Sequence, residues 1–188
     1  MGRPKAQLPL PDGHTLLSRL IRTLANGGAS RIVVVARPEH AADLAACAAP
    51  AAFAPEVVVN EDPDRGQLSS LQAGLLALGP AAPAALVTLV DVPFVAPQTV
   101  AALLAAWRRT AAPLVRPVRG GRHGHPMLVA RAVMDDLLRA PIAARGGARL
   151  VVSRYAGAAV ELAVDDEGAF VDVDTPEEYE RLVRRFAR

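Results

Sequence analysis

The sequence places an aspartate directly after an apolar run that has the composition of a buried strand. Residues 84–90 are apolar apart from Thr88, several of them are β-branched, and Asp91 follows at once. Ligands of open α/β sheets bind just beyond the carboxyl ends of the strands. A carboxylate at that place can hold a metal ion over a phosphate group. The same residue also suits a turn or a helix cap, so the motif alone leaves a structural role open.

Further candidate residues fall at predicted strand ends or in the loops that follow them. With Asp91 they are Lys5, Asn60, Gly66, Ser69, Asp172 and Asp174. Because the carboxyl ends of parallel strands lie along one edge of a sheet, we expect these residues to converge. Lysine neutralises phosphate oxygens, and Mg²⁺ takes one or two carboxylates besides phosphate and water. The set therefore predicts a site for a nucleoside triphosphate with Mg²⁺.

Hydrophobic periodicity predicts the elements that position these residues. Helices and strands alternate through the first half of the chain, with buried strands predicted at 31–36, 57–59 and 84–90. This alternation implies parallel strands with helices on both faces. We therefore predict an α/β fold: a three-layer α/β/α sandwich with a Rossmann-like, mostly parallel sheet, in a single domain over residues 1–188.

Four further local features are predicted with their reasons. Thr15 can cap the first helix, and Ser69 can cap the helix that runs through residue 78. Residues 170–174 are predicted as a last short strand. Thr175, Pro176 and Glu178 form a capping box with proline at the first helical position, which opens a final helix.

Composition restricts the class of protein. The 188 residues are 52% hydrophobic and 21% charged, which is typical of one globular domain. A net charge of +2 and few aromatic residues give no support for a nucleic-acid partner. The lone Cys47 excludes an internal disulfide framework and a multi-cysteine zinc site. The chain opens with no signal peptide and has no apolar run of membrane-spanning length, so we expect a cytoplasmic protein without a membrane partner.

Five motifs occur in the order of a known family. They are Met1 to Lys5, which matches the end of an R-M-G-x-P-K loop, Asn60 to Leu71 with its N-x5-G-x2-S-S-L spacing, Asp91-Val92-Pro93, Gly121 to Pro126, and Asp172 to Glu177. Over nearly its whole length the chain thereby resembles the MobA-like NTP transferases, and most of all the molybdenum cofactor cytidylyltransferase branch. The resemblance implies a fold of the nucleotide-diphospho-sugar transferase type.

The resemblance also implies roles for the candidate residues. Asp91 would bind Mg²⁺, with Asp174 as the second ligand and Asp172 close by. The other implied roles are Lys5 on the triphosphate, Asn60, Gly66 and Ser69 along the base and ribose, and His125 on the acceptor side. Lys5 and Asp91 would be the catalytic pair.

The implied reaction moves a nucleoside monophosphate from an NTP to a phosphorylated acceptor and releases pyrophosphate. CTP is favoured over GTP, and the implied acceptor is the molybdopterin cofactor. A phosphate oxygen is already an anionic nucleophile, so alignment and charge neutralisation suffice without a covalent intermediate.

The sequence differs from the family pattern at its N-terminus, where the family has a strand and a Gly-rich loop before the position of Lys5. We therefore expect a domain truncated at its N-terminus, with weak or absent triphosphate binding by the 188 residues alone. An upstream extension of about a dozen or more residues, one strand plus a loop, should restore binding.

Other interpretations remain open at this point. Ser69 suits a helix cap, Asp172 and Asp174 suit a turn, and His125 suits a solvated loop. A non-catalytic nucleotide-binding homologue is one alternative function. A metal-dependent glycosyltransferase is another, because Asp172-Val173-Asp174 has a D-x-D form. A dinucleotide oxidoreductase and a P-loop NTPase are disfavoured, since their glycine motifs do not occur.

Overall fold

A computed structural model describes residues 4–48, 53–143 and 146–186 of the chain. This part of the chain contains seven helices, α1 to α7, and seven strands, β1 to β7, which alternate as far as β4. The helices are α1 Leu16–Asn26, α2 Ala41–Ala48, α3 Gln67–Leu78, α4 Pro97–Thr110, α5 Arg131–Arg139, α6 Gly147–Ser153 and α7 Pro176–Phe186. The strands are β1 Val33–Ala36, β2 Glu56–Val59, β3 Ala84–Val87, β4 Leu114–Arg119, β5 Arg122–His123, β6 Met127–Ala130 and β7 Val160–Ala163. None of the described helices combines the length and the apolar character needed to cross a bilayer.

Helices cover both faces of the sheet, as the sequence predicts. Successive strand residues point to opposite faces. Accordingly Leu114 packs with α3 and α5, whereas its neighbour Val115 packs with α4. Val129 and Leu128 of β6 divide between the same two clusters in the same way. The α/β class and the layering of helices on a central sheet are thus confirmed.

The strand pairing is more mixed than the sequence suggests. β1 pairs with β2 in parallel, and β4 pairs with β7 in parallel. β6 lies antiparallel between β3 and β4, and β4 forms a hairpin with β5. The prediction of mostly parallel pairing therefore holds only for part of the sheet. The physical reason is that β4, β5 and β6 follow one another without a crossover helix, and short connections place consecutive strands antiparallel.

The described strands form two sheets that share one covering helix. β1 and β2 make the first sheet, and β3 lies at the edge of the second, with no pairing between β1 and β3 in the described residues. α1 nevertheless spans both, because Leu20 and Leu24 pack with Ile32 just before β1 and with Leu86 of β3. The two sheets therefore flank one apolar core beneath α1.

Two local predictions are wrong and two are confirmed. The strand predicted over residues 170–174 is absent, because Phe170 ends the 3₁₀ turn Glu167–Phe170 and residues 171–174 lack ladder pairing. Val173 N instead donates to Asp91 O at 2.8 Å, and Asp174 N donates to Glu178. Ser69 is not the cap of α3, which begins two residues earlier after Gly66. Thr15 does cap α1 in a reciprocal box with Ser18. Thr175 and Glu178 form the predicted box at α7, where Thr175 Oγ1 accepts from Glu178 N.

Candidate functional site

Three distant segments bring one cation and two carboxylates together. Lys5 opens the short 3₁₀ turn Lys5–Gln7, Asp91 follows β3, and Asp174 lies just before α7. Lys5 Nζ donates to Asp174 Oδ1 at 2.6 Å and lies 4.0 Å from Asp91 Oδ2. Three of the seven residues predicted to converge thus share a single charged cluster.

Asp91 is the most enclosed member of this cluster. Its side chain is 27% exposed, and its Oδ1 is buried without a hydrogen-bond partner in the described residues. Burial raises the pKa of Asp91 above its usual value, and the negative charge of Asp172 raises it further, while Lys5 lowers it. The fold thus holds a carboxylate where water solvates it poorly, which is costly unless a cation approaches it.

Lys5 is held as a cation by its carboxylate neighbours. The hydrogen bond to Asp174 is the main reason that the pKa of Lys5 is raised, and the charges of Asp174, Asp91 and Asp172 act in the same direction against partial burial. Asp172 therefore lies near enough to act on both Lys5 and Asp91 through its charge. Asp174 remains 63% exposed at its side chain, so this side of the cluster faces solvent.

Asp166 and Gly168 together form a clamp that joins the loop after Asp91 to the segment before Asp172. Asp166 Oδ2 accepts from Ala96 N at 2.8 Å and from Thr99 Oγ1 at 2.6 Å, which holds the residue before α4 and its first turn in place. Its Oδ1 accepts from Gly168 N. Gly168 packs so closely that a Cβ there would lie 2.0 Å from Phe94 O. The loop after Asp91 is therefore pressed against the segment that leads to Asp172 and Asp174.

Sequence reasoning missed Asp166 and Gly168. The run Asp165-Asp166-Glu167-Gly168 has the composition of a turn, and the structure uses it as one. Its second function is to hold the start of α4 about seventy residues earlier. That function leaves no local signal, because the donors are the Ala96 N–H and the Thr99 hydroxyl, which lie far away in the sequence.

A second polar group orders the loop between β2 and α3. Asn60 and Ser69 are each 7% exposed. Asn60 Nδ2 donates to Ser69 Oγ at 2.9 Å and to Ser70 Oγ at 3.0 Å, while its Oδ1 accepts from Asp62 N. Gly66 takes a positive φ of 93° that permits the turn into α3. These contacts fold the loop upon itself, so the side chains of Asn60 and Ser69 act first as supports.

His125 lies in the loop between β5 and β6, packed against the clamp. Its N–H donates to Ala169 O at 2.8 Å, and its ring Nδ1 is buried without a hydrogen-bond partner in the described residues. A Cβ on the preceding Gly124 would lie 2.4 Å from Ala169 O. The backbone of this loop is therefore fixed, and the ring is more enclosed than that of a solvated surface histidine.

The carboxylate oxygens of Asp91 and Asp174 suit a hard divalent cation whose coordination shell is completed by a bound ligand. The described residues contain no group of three or more His, Cys, Asp or Glu side chains placed to hold a metal ion by themselves. Asp91 and Asp174 nevertheless offer carboxylate oxygens close to one cation, and Asp91 Oδ1 has no hydrogen-bond partner among the residues that the structure describes. Mg²⁺ commonly uses one or two protein carboxylates together with phosphate oxygens and water. The arrangement thus suits a metal ion that arrives with a phosphate ligand.

Solved structures share this fold over almost the whole chain. Rv0371c of Mycobacterium tuberculosis H37Rv in complex with manganese is 29% identical with a TM-score of 0.77, covering 97% of this chain and 93% of that chain. A nucleotidyl transferase from Methanothermobacter thermautotroptrophicus is 20% identical with a TM-score of 0.79, covering 97% and 84%. Molybdopterin-guanine dinucleotide biosynthesis protein A from Archaeoglobus fulgidus is 19% identical with a TM-score of 0.70, covering 98% and 91%. No curated protein matches the chain.

The fold is an α/β fold, and its charged cluster suits a metal ion with a phosphate ligand. The family model of the MobA-like NTP transferase domain matches residues 1–186. The chain therefore belongs to the MobA-like NTP transferase family, which confirms the resemblance found in the sequence. This family membership supports a transferase enzyme, and a divalent metal ion is consistent with it.

Proposed function

We propose that the chain is a Mg²⁺-dependent nucleotidyltransferase that moves a nucleoside monophosphate from an NTP to a phosphorylated acceptor. The observation that carries this proposal is the cluster in which Lys5 Nζ lies within 4.0 Å of both Asp91 and Asp174. It unites a phosphate-binding cation with oxygen ligands for a hard metal ion, and family membership is consistent with this chemistry.

Each residue of the cluster has a role that follows from its charge and position. Asp91 and Asp174 would hold the metal ion, with Asp172 adding negative charge beside them, and Lys5 would bind phosphate oxygens of the NTP. When bound, the metal ion offsets negative charge on the α-phosphate and on the pyrophosphate. A phosphate oxygen of the acceptor forms the new bond to the α-phosphorus as the bond to the bridging oxygen breaks. Pyrophosphate then leaves with that electron pair.

The substrates are proposed from the resemblance and the similar structures. Pro4-Lys5 and Gly124-His125-Pro126 resemble the cytidylyl branch, which favours CTP over GTP. A similar solved structure is a molybdopterin-guanine dinucleotide biosynthesis protein, which supports molybdopterin as the acceptor. We place that acceptor beside His125, whose buried Nδ1 lacks a partner in the described residues. Asn60, Gly66 and Ser69 would shape the loop along the base and ribose.

A nucleotide panel tests this proposal. The chain is mixed with CTP, GTP, ATP or UTP at millimolar concentration with Mg²⁺, and its melting temperature and the released pyrophosphate are measured. Millimolar nucleotide lets binding of low affinity be detected. A ligand that binds only the native state raises the melting temperature, so CTP should give the largest shift. Pyrophosphate should be released when molybdopterin is added.

Two results would contradict the proposal and support another function in its place. A melting shift with every component present and no pyrophosphate would indicate a nucleotide-binding homologue without catalysis. Turnover of a nucleotide sugar, with no pyrophosphate from any NTP, would instead support the glycosyltransferase suggested by the D-x-D form of Asp172 and Asp174.

A further inference from the structure

The ammonium group of Lys5 lies between the two carboxylates that are proposed to hold the metal ion. Its Nζ donates to Asp174 Oδ1 at 2.6 Å and lies 4.0 Å from Asp91 Oδ2. The side chain of Lys5 is one-third exposed, and its acidic partner Asp174 is mostly exposed. The ammonium group is therefore close enough to neutralise the charges of Asp91 and Asp174. Because it is partly exposed to solvent, it can also move away from them.

One ammonium and one divalent cation would compete for these oxygens. A second cation placed beside Lys5 is repelled by it, and this repulsion is strong at separations near 4 Å in a partly enclosed site. The lysine stem is flexible and carries a compact point charge, so the ammonium can exchange one anionic partner for another. The oxygens of a triphosphate offer such a partner.

We propose that Lys5 is an internal counter-ion that holds Asp91 and Asp174 until a triphosphate draws it away. A divalent cation then enters together with the nucleotide and binds poorly alone. This inference rests on the proposed function, because it assigns binding order at the same site. By thermodynamic linkage the nucleotide must raise the affinity for the metal ion as much as the metal ion raises the affinity for the nucleotide.

The test measures binding of Mn²⁺ alone, without nucleotide, from the electron paramagnetic resonance signal of the free ion. Lys5→Gln removes the competing charge and should bind Mn²⁺ about tenfold more tightly than the unmodified chain. Lys5→Arg retains a positive charge and should bind Mn²⁺ as weakly as the unmodified chain. Arg139→Gln is the control for charge loss, since Arg139 pairs with Asp136 on the surface of α5.

Several outcomes contradict the inference. The inference is contradicted if the Lys5→Gln variant binds Mn²⁺ no more tightly than the unmodified chain. It is also contradicted if neither protein binds Mn²⁺ detectably. Equal tightening by Lys5→Arg or Arg139→Gln would also contradict it, because the effect would not then arise from the charge at residue 5. Melting curves of all four proteins show that each is folded.

Failure of the proposed function is seen separately. If Lys5→Gln tightens Mn²⁺ binding but the unmodified chain releases no pyrophosphate from any NTP, the counter-ion stands and the nucleotidyltransferase proposal fails. If pyrophosphate is released but the Mn²⁺ affinities do not differ, the reaction stands and the counter-ion fails.

Discussion

Asp91→Asn should abolish metal-dependent turnover while leaving the fold intact. The amide is neutral and a weaker ligand for Mg²⁺, so pyrophosphate release should fall by about 10²–10³-fold or more. Stability should be unchanged or slightly higher, because burial already disfavours the charged form of Asp91 and raises its pKa. The measurements are pyrophosphate release at saturating Mg²⁺ and the melting temperature of the same preparation.

Two controls accompany this variant. Asp43→Asn removes the same charge from the surface of α2, where residue 43 accepts a hydrogen bond from Gln7 Nε2 that an amide oxygen can still accept. It should keep near-normal turnover. Pro93→Ala, two residues after Asp91, should reduce turnover much less than Asp91→Asn. Near-full activity of the Asp91→Asn variant would contradict the proposed metal ligand and would show that Asp91 serves only to shape the turn.

Gly168→Ala should damage both stability and turnover. The added Cβ would lie 2.0 Å from Phe94 O and 2.5 Å from the Phe94 carbonyl carbon, so the backbone of one loop must shift. Overpacking of this kind costs roughly 2–3 kcal/mol, which corresponds to about 5–10 °C in the melting temperature of a chain this long. Because the two loops carry Asp91 and Asp174, pyrophosphate release should fall even at temperatures where the variant is folded.

Gly157→Ala is the matched control for this substitution. A Cβ on Gly157 would meet no atom of the described residues within 4 Å, and the backbone of Gly157 is not in the left-handed region. Its melting temperature should be unchanged or slightly raised, since alanine restricts the unfolded chain. Equal stability of the two variants would show that the contact between Gly168 and Phe94 yields easily and that no clamp exists.

Local patterns in the sequence predicted most of the elements. Thr15 and Thr175 cap helices as predicted, because each lies just before a helical segment and a cap depends on residues only three positions apart. The pairing of strands was less predictable. Periodicity indicates that a strand is buried but does not say which strand lies beside it, so the antiparallel contact of β3 with β6 was not foreseen.

The sequence predicted the convergence of Lys5, Asp91 and Asp174 from motif order and from their positions at strand ends. It could not predict that Lys5 bonds to Asp174, nor that Asp166 supports the site from behind, because both contacts join residues far apart in the chain. The roles given to the site residues remain predictions.

The fate of the NTP phosphates is the most direct test of the central claim. The chain is incubated with Mg²⁺, molybdopterin and millimolar CTP that carries a radioactive label on either the α- or the γ-phosphorus. We predict that the α-label appears in the acceptor and the γ-label in pyrophosphate, and that Asp91→Asn shows neither transfer. A γ-label recovered as inorganic phosphate, with no α-label in the acceptor, would contradict nucleotidyl transfer.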